Sequence, residues 1–160
     1  MSEISEDRPD DPSVGDLLTR IDRHAVRFDG ASARDLSGCS QTLEQAGSPA
    51  LAADHMGLLK LTNGLLWNGV QLFGTAPIDR PQRRYTVPSI HEATVAAAPP
   101  LDPKTCLIIG RTEDEWLVMA QLPGRIAYQE VDCLGGDIYR QAASIRRLLT
   151  RIIKERTGGF

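Results

Sequence analysis

The sequence predicts an α+β fold with an antiparallel sheet and a long amphipathic C-terminal helix. Three observations carry this. Asn68-Gly69 stands between two apolar runs, 65–67 and 70–73, which is the strongest short-range signal of a β-hairpin. Apolar runs at 106–109, 116–120 and 125–131 follow one another across turns, with no helical segment between them. Strands arranged this way pair as a meander and exclude a βαβ, doubly wound sheet. Finally, Ile138, Ala142, Ile145, Leu148, Leu149, Ile152 and Ile153 recur at helical spacing and form one apolar stripe.

The elements follow in order. Residues 1–12 carry Glu3, Glu6, Asp7, Asp10 and Asp11 with Pro9 and Pro12 and almost no apolar side chain, and read as a disordered acidic tail. Residues 13–157 read as a single domain. Ser13 caps a first helix over roughly 14–27, with Leu17, Leu18, Ile21, Ala25 and Val26 on its apolar face. Residues 28–39 read as a loop, and Ser40 as the cap of a short helix ending near Ala46-Gly47. Ser48 and Pro49 suit the cap and first position of the next helix, which Asn63-Gly64 ends with a left-handed stop. Gly57 inside that helix costs about 1 kcal/mol, which a close packing contact would explain. Residues 75–88, with Pro77, Pro81 and Pro88, read as a loop or irregular edge. Ser89 and Glu92 have the spacing of a capping box for a helix over 89–98, which Pro99-Pro100 ends. The meander then turns at 111–114 and at Pro123-Gly124. Gly135-Gly136 breaks it before the final helix, from Asp137 to about Arg156.

Composition narrows the class of protein. A chain of 160 residues with 41% hydrophobic content fits one ordinary globular domain with a sizeable core. No run approaches the ~20 apolar residues needed to span a bilayer. The acidic N-terminus has neither the basic nor the apolar region of a secretory signal. The expected location is the cytoplasm, with no membrane partner. Cys39, Cys106 and Cys133 are sparse and unpaired in spacing, as expected of buried or half-buried free thiols. The net charge of −3 is too acidic for a nucleic-acid-binding domain. Charge is unevenly spread, however. Acids dominate residues 1–16, whereas Arg140, Arg146, Arg147, Arg151, Lys154 and Arg156 crowd the last helix. The two segments can attract each other in a salt-sensitive way.

No sequence pattern points to catalysis, a metal or a cofactor. There is no phosphate-binding glycine loop, no HExxH and no GxSxG. His24, His55 and His91 are dispersed and read as surface or core-edge side chains. Glu113-Asp114-Glu115 are adjacent in a turn. That arrangement does not hold two carboxyls across a cleft as acid–base chemistry requires. It reads either as a solvated turn or as an acidic loop that steers a basic partner. Trp67 and Trp116 admit burial in the core or use as interface anchors. Trp67, beside the Asn68-Gly69 turn, is the better anchor candidate.

Three segments together resemble the SUKH superfamily, closest to its YrhA-like branch: LLKLTNGLLWNGVQLFG (58–74), LIIGRTEDEW (107–116) and the helix from Asp137. The resemblance covers roughly residues 40–156. It implies a curved antiparallel β-sheet flanked by helices. It also implies a bacterial immunity protein that binds and neutralises a cognate polymorphic toxin, such as an Rhs-type or other secretion-delivered effector, by occluding its active site. The family has no shared catalytic residues. The chain departs from it at Trp116-Leu117-Val118, where many members carry an acid. The expectation is therefore a non-enzymatic, cytoplasmic immunity protein. Its candidate toxin-binding residues are Trp67, Asn68, Glu113, Asp114, Glu115 and Trp116, with no metal and no cofactor. The alternative is a regulatory or scaffold module that binds a host protein.

Overall fold

A computed structural model describes residues 3–159. It is α+β, with five α-helices and an open eight-stranded sheet. The helices are α1 (Val14–Ile21), α2 (Ala33–Gln45), α3 (Ala53–Leu61), α4 (Ile90–Ala96) and α5 (Ile145–Thr157). The strands are β1 (Ile4–Ser5), β2 (Val26–Arg27), β3 (Leu65–Trp67), β4 (Val70–Leu72), β5 (Ile78–Arg80), β6 (Tyr85–Val87), β7 (Cys106–Arg111), β8 (Glu115–Leu122), β9 (Arg125–Asp132) and β10 (Ile138–Ala142). The main sheet runs β1-β10-β9-β8-β7-β4-β3-β2, and β5 and β6 form a separate hairpin. All its pairs are antiparallel except β1 with β10, so the sheet is mixed rather than wholly antiparallel. Register shifts at Ile108/Gly110 and Ile138/Arg140 mark bulges, which bend strands locally.

Of the acidic segment 1–12 expected to be disordered, residues 3–12 are ordered, and residues 1–2 lie outside the described residues. Ile4 and Ser5 add to the sheet edge beside Gln141 and Ala142, and the Ala143 N–H donates to the Ser5 carbonyl at 2.8 Å. The acids of this segment find the basic helix. Asp11 pairs with Arg147 at 2.8 Å, both side chains buried, and Asp7 pairs with Arg146 at 3.6 Å. The attraction between tail and helix is thus the physical reason for order, and the one buried pair is shielded from salt.

The first helix, expected to run to about 27, ends at Ile21; a 3-10 turn over Asp22–His24 follows, and Val26 and Arg27 are strand β2. Three further helix boundaries differ from expectation, each for a local reason. The loop placed at 28–39 is largely α2, opened by a Ser32–Asp35 capping box, so Ser40 lies within the helix. Ser48 does not cap α3 because it already ends α2. Its N–H donates to the Leu43 carbonyl, and that of Gly47, at φ +73°, donates to Glu44. Consequently α3 starts only at Ala53. Gly57 has open space around it, so no close packing explains it. At the far end Thr62 leaves the helix in extended conformation. Asn63 then ties the chain to Thr75, accepting from its N–H at 2.8 Å and donating to its hydroxyl at 2.9 Å. Asn63-Gly64 therefore works mainly through a side-chain staple, not a left-handed helix cap.

The largest correction is the final helix. Residues 138–142 form β10, and α5 begins after Ser144, whose hydroxyl accepts from the Arg147 N–H at 3.0 Å. Arg140 and Ala142 share one face of this strand, Ile138 lies on the other across a bulge, and Ile138 and Ala142 also fit the helical stripe, so the two patterns overlap there. The shorter α5 still buries Ile145, Leu148, Leu149, Ile152 and Ile153 against α1, α3, β9 and β10. The Asp54 carboxylate holds its start, accepting from the Ile145 N–H at 2.9 Å and the Tyr128 hydroxyl at 2.7 Å. A carboxylate at a helix N-terminus is favoured by the helix dipole.

On the sheet, α4 stands where β4 stops. The Thr94 hydroxyl accepts the Ile108 N–H at 2.9 Å. That backbone group would otherwise be a buried donor without a partner. Alternation places Tyr128 and Glu130 on the face toward α3 and α5, and Gln129 and Val131 on the other. The buried Glu130 carboxylate receives Arg140 at 2.7 Å and Arg151 at 3.3 Å.

Candidate functional site

Asn68 and Gly69 have φ values of +45° and +80°, so the β3–β4 turn has the left-handed backbone that Asn-Gly was expected to supply. The structure brings this hairpin tip to the acidic β7–β8 turn. Arg156 reaches from the end of α5 between them. It donates to the Asn68 carbonyl at 2.6 Å and grips both Glu113 oxygens at 3.0 and 2.9 Å. A side chain at Gly69 would fall on the Glu113 carboxylate. Trp67 is only 7% exposed, packed on the core side with Leu65, Val70 and Leu72, so the indole is a core residue rather than a projecting anchor. Glu113 is exposed but engaged within the chain. Hydrogen bonds from Arg156, then its own backbone N–H, hold its carboxyl down to about 2. Arg156→Met is expected to move the Glu113 titration midpoint up toward ~4.3, the ordinary glutamate value, read by carbon-detected NMR. An unmoved midpoint would show that Arg156 does not set it.

Asp114 and Glu115 lie at a different part of the surface. The Asp114 carbonyl accepts from the Cys133 N–H at 3.0 Å, which joins the β7–β8 turn to the β9–β10 turn. Burial, then the nearby Glu130 charge, raise the Glu115 carboxyl. Tyr139 sits beside both acids and Arg140 in an open depression. The Asp132 charge first, with Glu115, Asp137 and Asp114 adding to it, raises its phenol. The same turn exposes Leu134 almost completely, at 94%, with Ile138 at 43% and Tyr139 at 56%. Sequence reasoning placed 138–142 in a helix, with Ile138 on its apolar stripe, and so missed the exposure of Ile138 and Tyr139; it did not single out Leu134. The Gly135-Gly136 break, where the chain turns from β9 into β10, was the available signal.

Trp116 belongs to a larger feature. Cross-strand partners form one continuous row, Ile138–Val131–Trp116–Arg111–Gln71–Leu66–Val26, across seven neighbouring strands. Partners in register share a sheet face. Val131 is buried, but the other six are half-buried or exposed. At ~4.8 Å per strand the row is about 29 Å long. Within it, the Arg111 guanidinium lies 5.1 Å from the Trp116 ring centroid, a cation–π distance. The row mixes aromatic, aliphatic, cationic and amide groups on one accessible sheet face.

The histidines do not assemble with acids. His55 is fully buried in α3 without a hydrogen-bond partner on either ring nitrogen. Glu92 is engaged in the α4 capping box, accepting from the Ser89 N–H at 3.0 Å, and so does not pair with His91. Among the described residues no group of three or more His, Cys, Asp or Glu side chains is placed to hold a metal ion. No helix among them is long and apolar enough to cross a membrane. No protein-family model matches the chain, and no curated protein matches it.

Proposed function

We propose that this protein acts by binding another protein, and that it is an immunity protein of the SUKH type. In this reading it covers the active site of a cognate toxin domain in the cytoplasm and performs no chemistry itself. The observation that carries the reading is the open row from Val26 to Ile138, bordered by the exposed Leu134 and Tyr139. Exposed aromatic and aliphatic groups clustered with arginine have the composition of an interface centre. The row's length is of the order needed for a standard interface burying ~800 Å² per partner. Asp114, Asp132 and Asp137 near its β10 end would draw a basic toxin surface and speed encounter.

The test is co-expression with the toxin domain encoded beside this gene, read by cell survival and by affinity of the purified pair. Wild-type protein is expected to rescue growth and to co-purify. Trp116→Ala combined with Leu134→Ser and Tyr139→Ser is expected to weaken the complex by at least ~2 kcal/mol, roughly 30-fold, if these are interface anchors. Rescue and affinity that survive the triple change would move the interface elsewhere. A neighbour that is not toxic and does not bind would remove the immunity reading.

A further inference from the structure

Seven arginines of this chain are paired with its own carboxylates. Arg27 pairs with Asp22, Arg125 with Glu6, Arg146 with Asp7, Arg147 with Asp11, and Arg156 with Glu113; Arg140 and Arg151 share Glu130. Arg80 and Arg83 are not among them, and they stand together on one depression. They lie on and just after β5, and neither has an ion-pair partner among the described residues. Both line a depression of about 490 Å³ between the β5–β6 hairpin and the β2–β3–β4 end of the sheet. His24 and the exposed Tyr85 stand on its walls, and no carboxylate lines it. In a chain of net charge −3 this is a concentrated, unanswered positive surface.

Its floor identifies the ligand further. Leu66 and Gln71, members of the open row, line the same depression, as does Val26 at the row's end. The groove is therefore continuous with the surface assigned above to a partner. It is open rather than enclosing, whereas small-molecule sites bury most of their ligand. A largely polar groove that sets Val26 and Leu66 beside a side-chain amide and two planar guanidinium forks suits an extended peptide whose acids alternate with apolar residues. Arginine takes carboxylates in two-point contacts that lysine cannot match.

We infer that this groove receives an extended acidic segment of the partner protein, with its carboxylates on Arg80 and Arg83. The inference rests on the reading of the row as a partner surface. It adds a polarity to that surface: acids at the β10 end, arginines at the β2 end. A partner must then present a basic patch to one end and an acidic segment to the other. Opposite charges at the two ends fix its orientation, because the reversed pose sets like charges against each other.

The test needs no toxin. A fluorescein-labelled decapeptide of alternating Asp/Glu and apolar residues is titrated with the full chain at low salt, by anisotropy. The same peptide with Lys replacing the acids, a ten-nucleotide single-stranded DNA and inorganic phosphate serve as comparisons. The acidic peptide is expected to bind saturably, and at least ten-fold more weakly to the Arg80→Ser/Arg83→Ser variant. Arg34→Ser/Lys104→Ser removes the same charge elsewhere and is expected to leave binding unchanged. Arg80→Glu/Arg83→Glu is expected to favour the Lys peptide, which a misfolded protein would not do. Absence of saturable binding, equal weakening by the two double serine variants, or tighter binding of the DNA or phosphate would each overturn the inference. Failure here leaves the co-expression result standing. Loss of rescue in the Trp116, Leu134 and Tyr139 variant, with peptide binding intact, bears on the immunity reading alone.

Discussion

Asp11→Ala is expected to destabilise the protein by about 3–5 kcal/mol, the cost of leaving one member of a buried ion pair without its partner. The side chains of Arg147 and Asp11 are only 6% and 1% exposed, and meet at 2.8 Å. The pair is also well satisfied. The second Asp11 oxygen accepts from the Arg8 N–H at 2.9 Å, and Arg147 donates from Nε to the Ser5 hydroxyl at 3.0 Å. Removing the carboxylate strands a guanidinium under the N-terminal segment. Urea denaturation measures the loss. Asp11→Leu with Arg147→Met is expected to cost less than Asp11→Ala alone, because no charge is then buried. A loss below ~1 kcal/mol for Asp11→Ala would show that the segment lifts off and Arg147 regains water. The pH dependence has a definite sign. Burial pushes the Asp11 carboxyl up, but the Arg8 N–H and the Arg147 charge together outweigh it, and the folded value lies below the ordinary one. The contribution of Asp11 is therefore present above the unfolded value of ~3.9 and is lost as pH falls through the lower folded value.

A second acid limb is expected at higher pH, from His55. The ring is completely buried, 6.2 Å from the Tyr128 ring, with both nitrogens unpartnered. Burial lowers its folded value to about 4, and the neighbouring Asp54 charge offsets only part of that. The native state thus binds fewer protons than the unfolded chain below pH ~6.5. Stability is fully present above that pH and falls between 6.5 and 4, by about 3 kcal/mol in all, with no further loss from this residue below 4. The Asp11 limb begins only where the His55 limb ends, so the two separate in one titration. His55→Leu is expected to flatten the upper limb and leave stability at pH 7 equal or higher, since a buried polar group without partners is replaced by an apolar one. A His55→Leu protein that still loses the same stability between pH 6.5 and 4 would assign that limb to another group.

Elements whose signal lies within a few residues were legible in the sequence. The Asn68-Gly69 turn, the Ser13 cap and the Ser89–Glu92 box each stand where the local chemistry placed them. The three meander strands were likewise bounded by their own turns. Where a residue could serve two neighbours, the reading failed. Ser48 ends α2 rather than opening α3, and Ala142 fits both a strand and the helical stripe. Of the candidate site, Asn68 and Asp114 stand exposed at the turns named for them. Trp67 turned inward and Glu113 was taken up by Arg156.

By itself, the sequence determined the class of the fold, the β3–β4 hairpin, the meander and the caps at Ser13 and Ser89, because periodicity and capping act over one or two turns of chain. Only the tertiary structure decided that the acidic N-terminus is a sheet edge bound to α5. The same holds for the open row of side chains from Val26 to Ile138 on one sheet face, and for the pair of arginines beside it left without acids. Those outcomes depend on pairings between residues up to more than a hundred positions apart, such as Asp11 with Arg147. No local pattern encodes such pairings, since any acid in the tail was a formal match for any base in the helix. Burial and register selected among them.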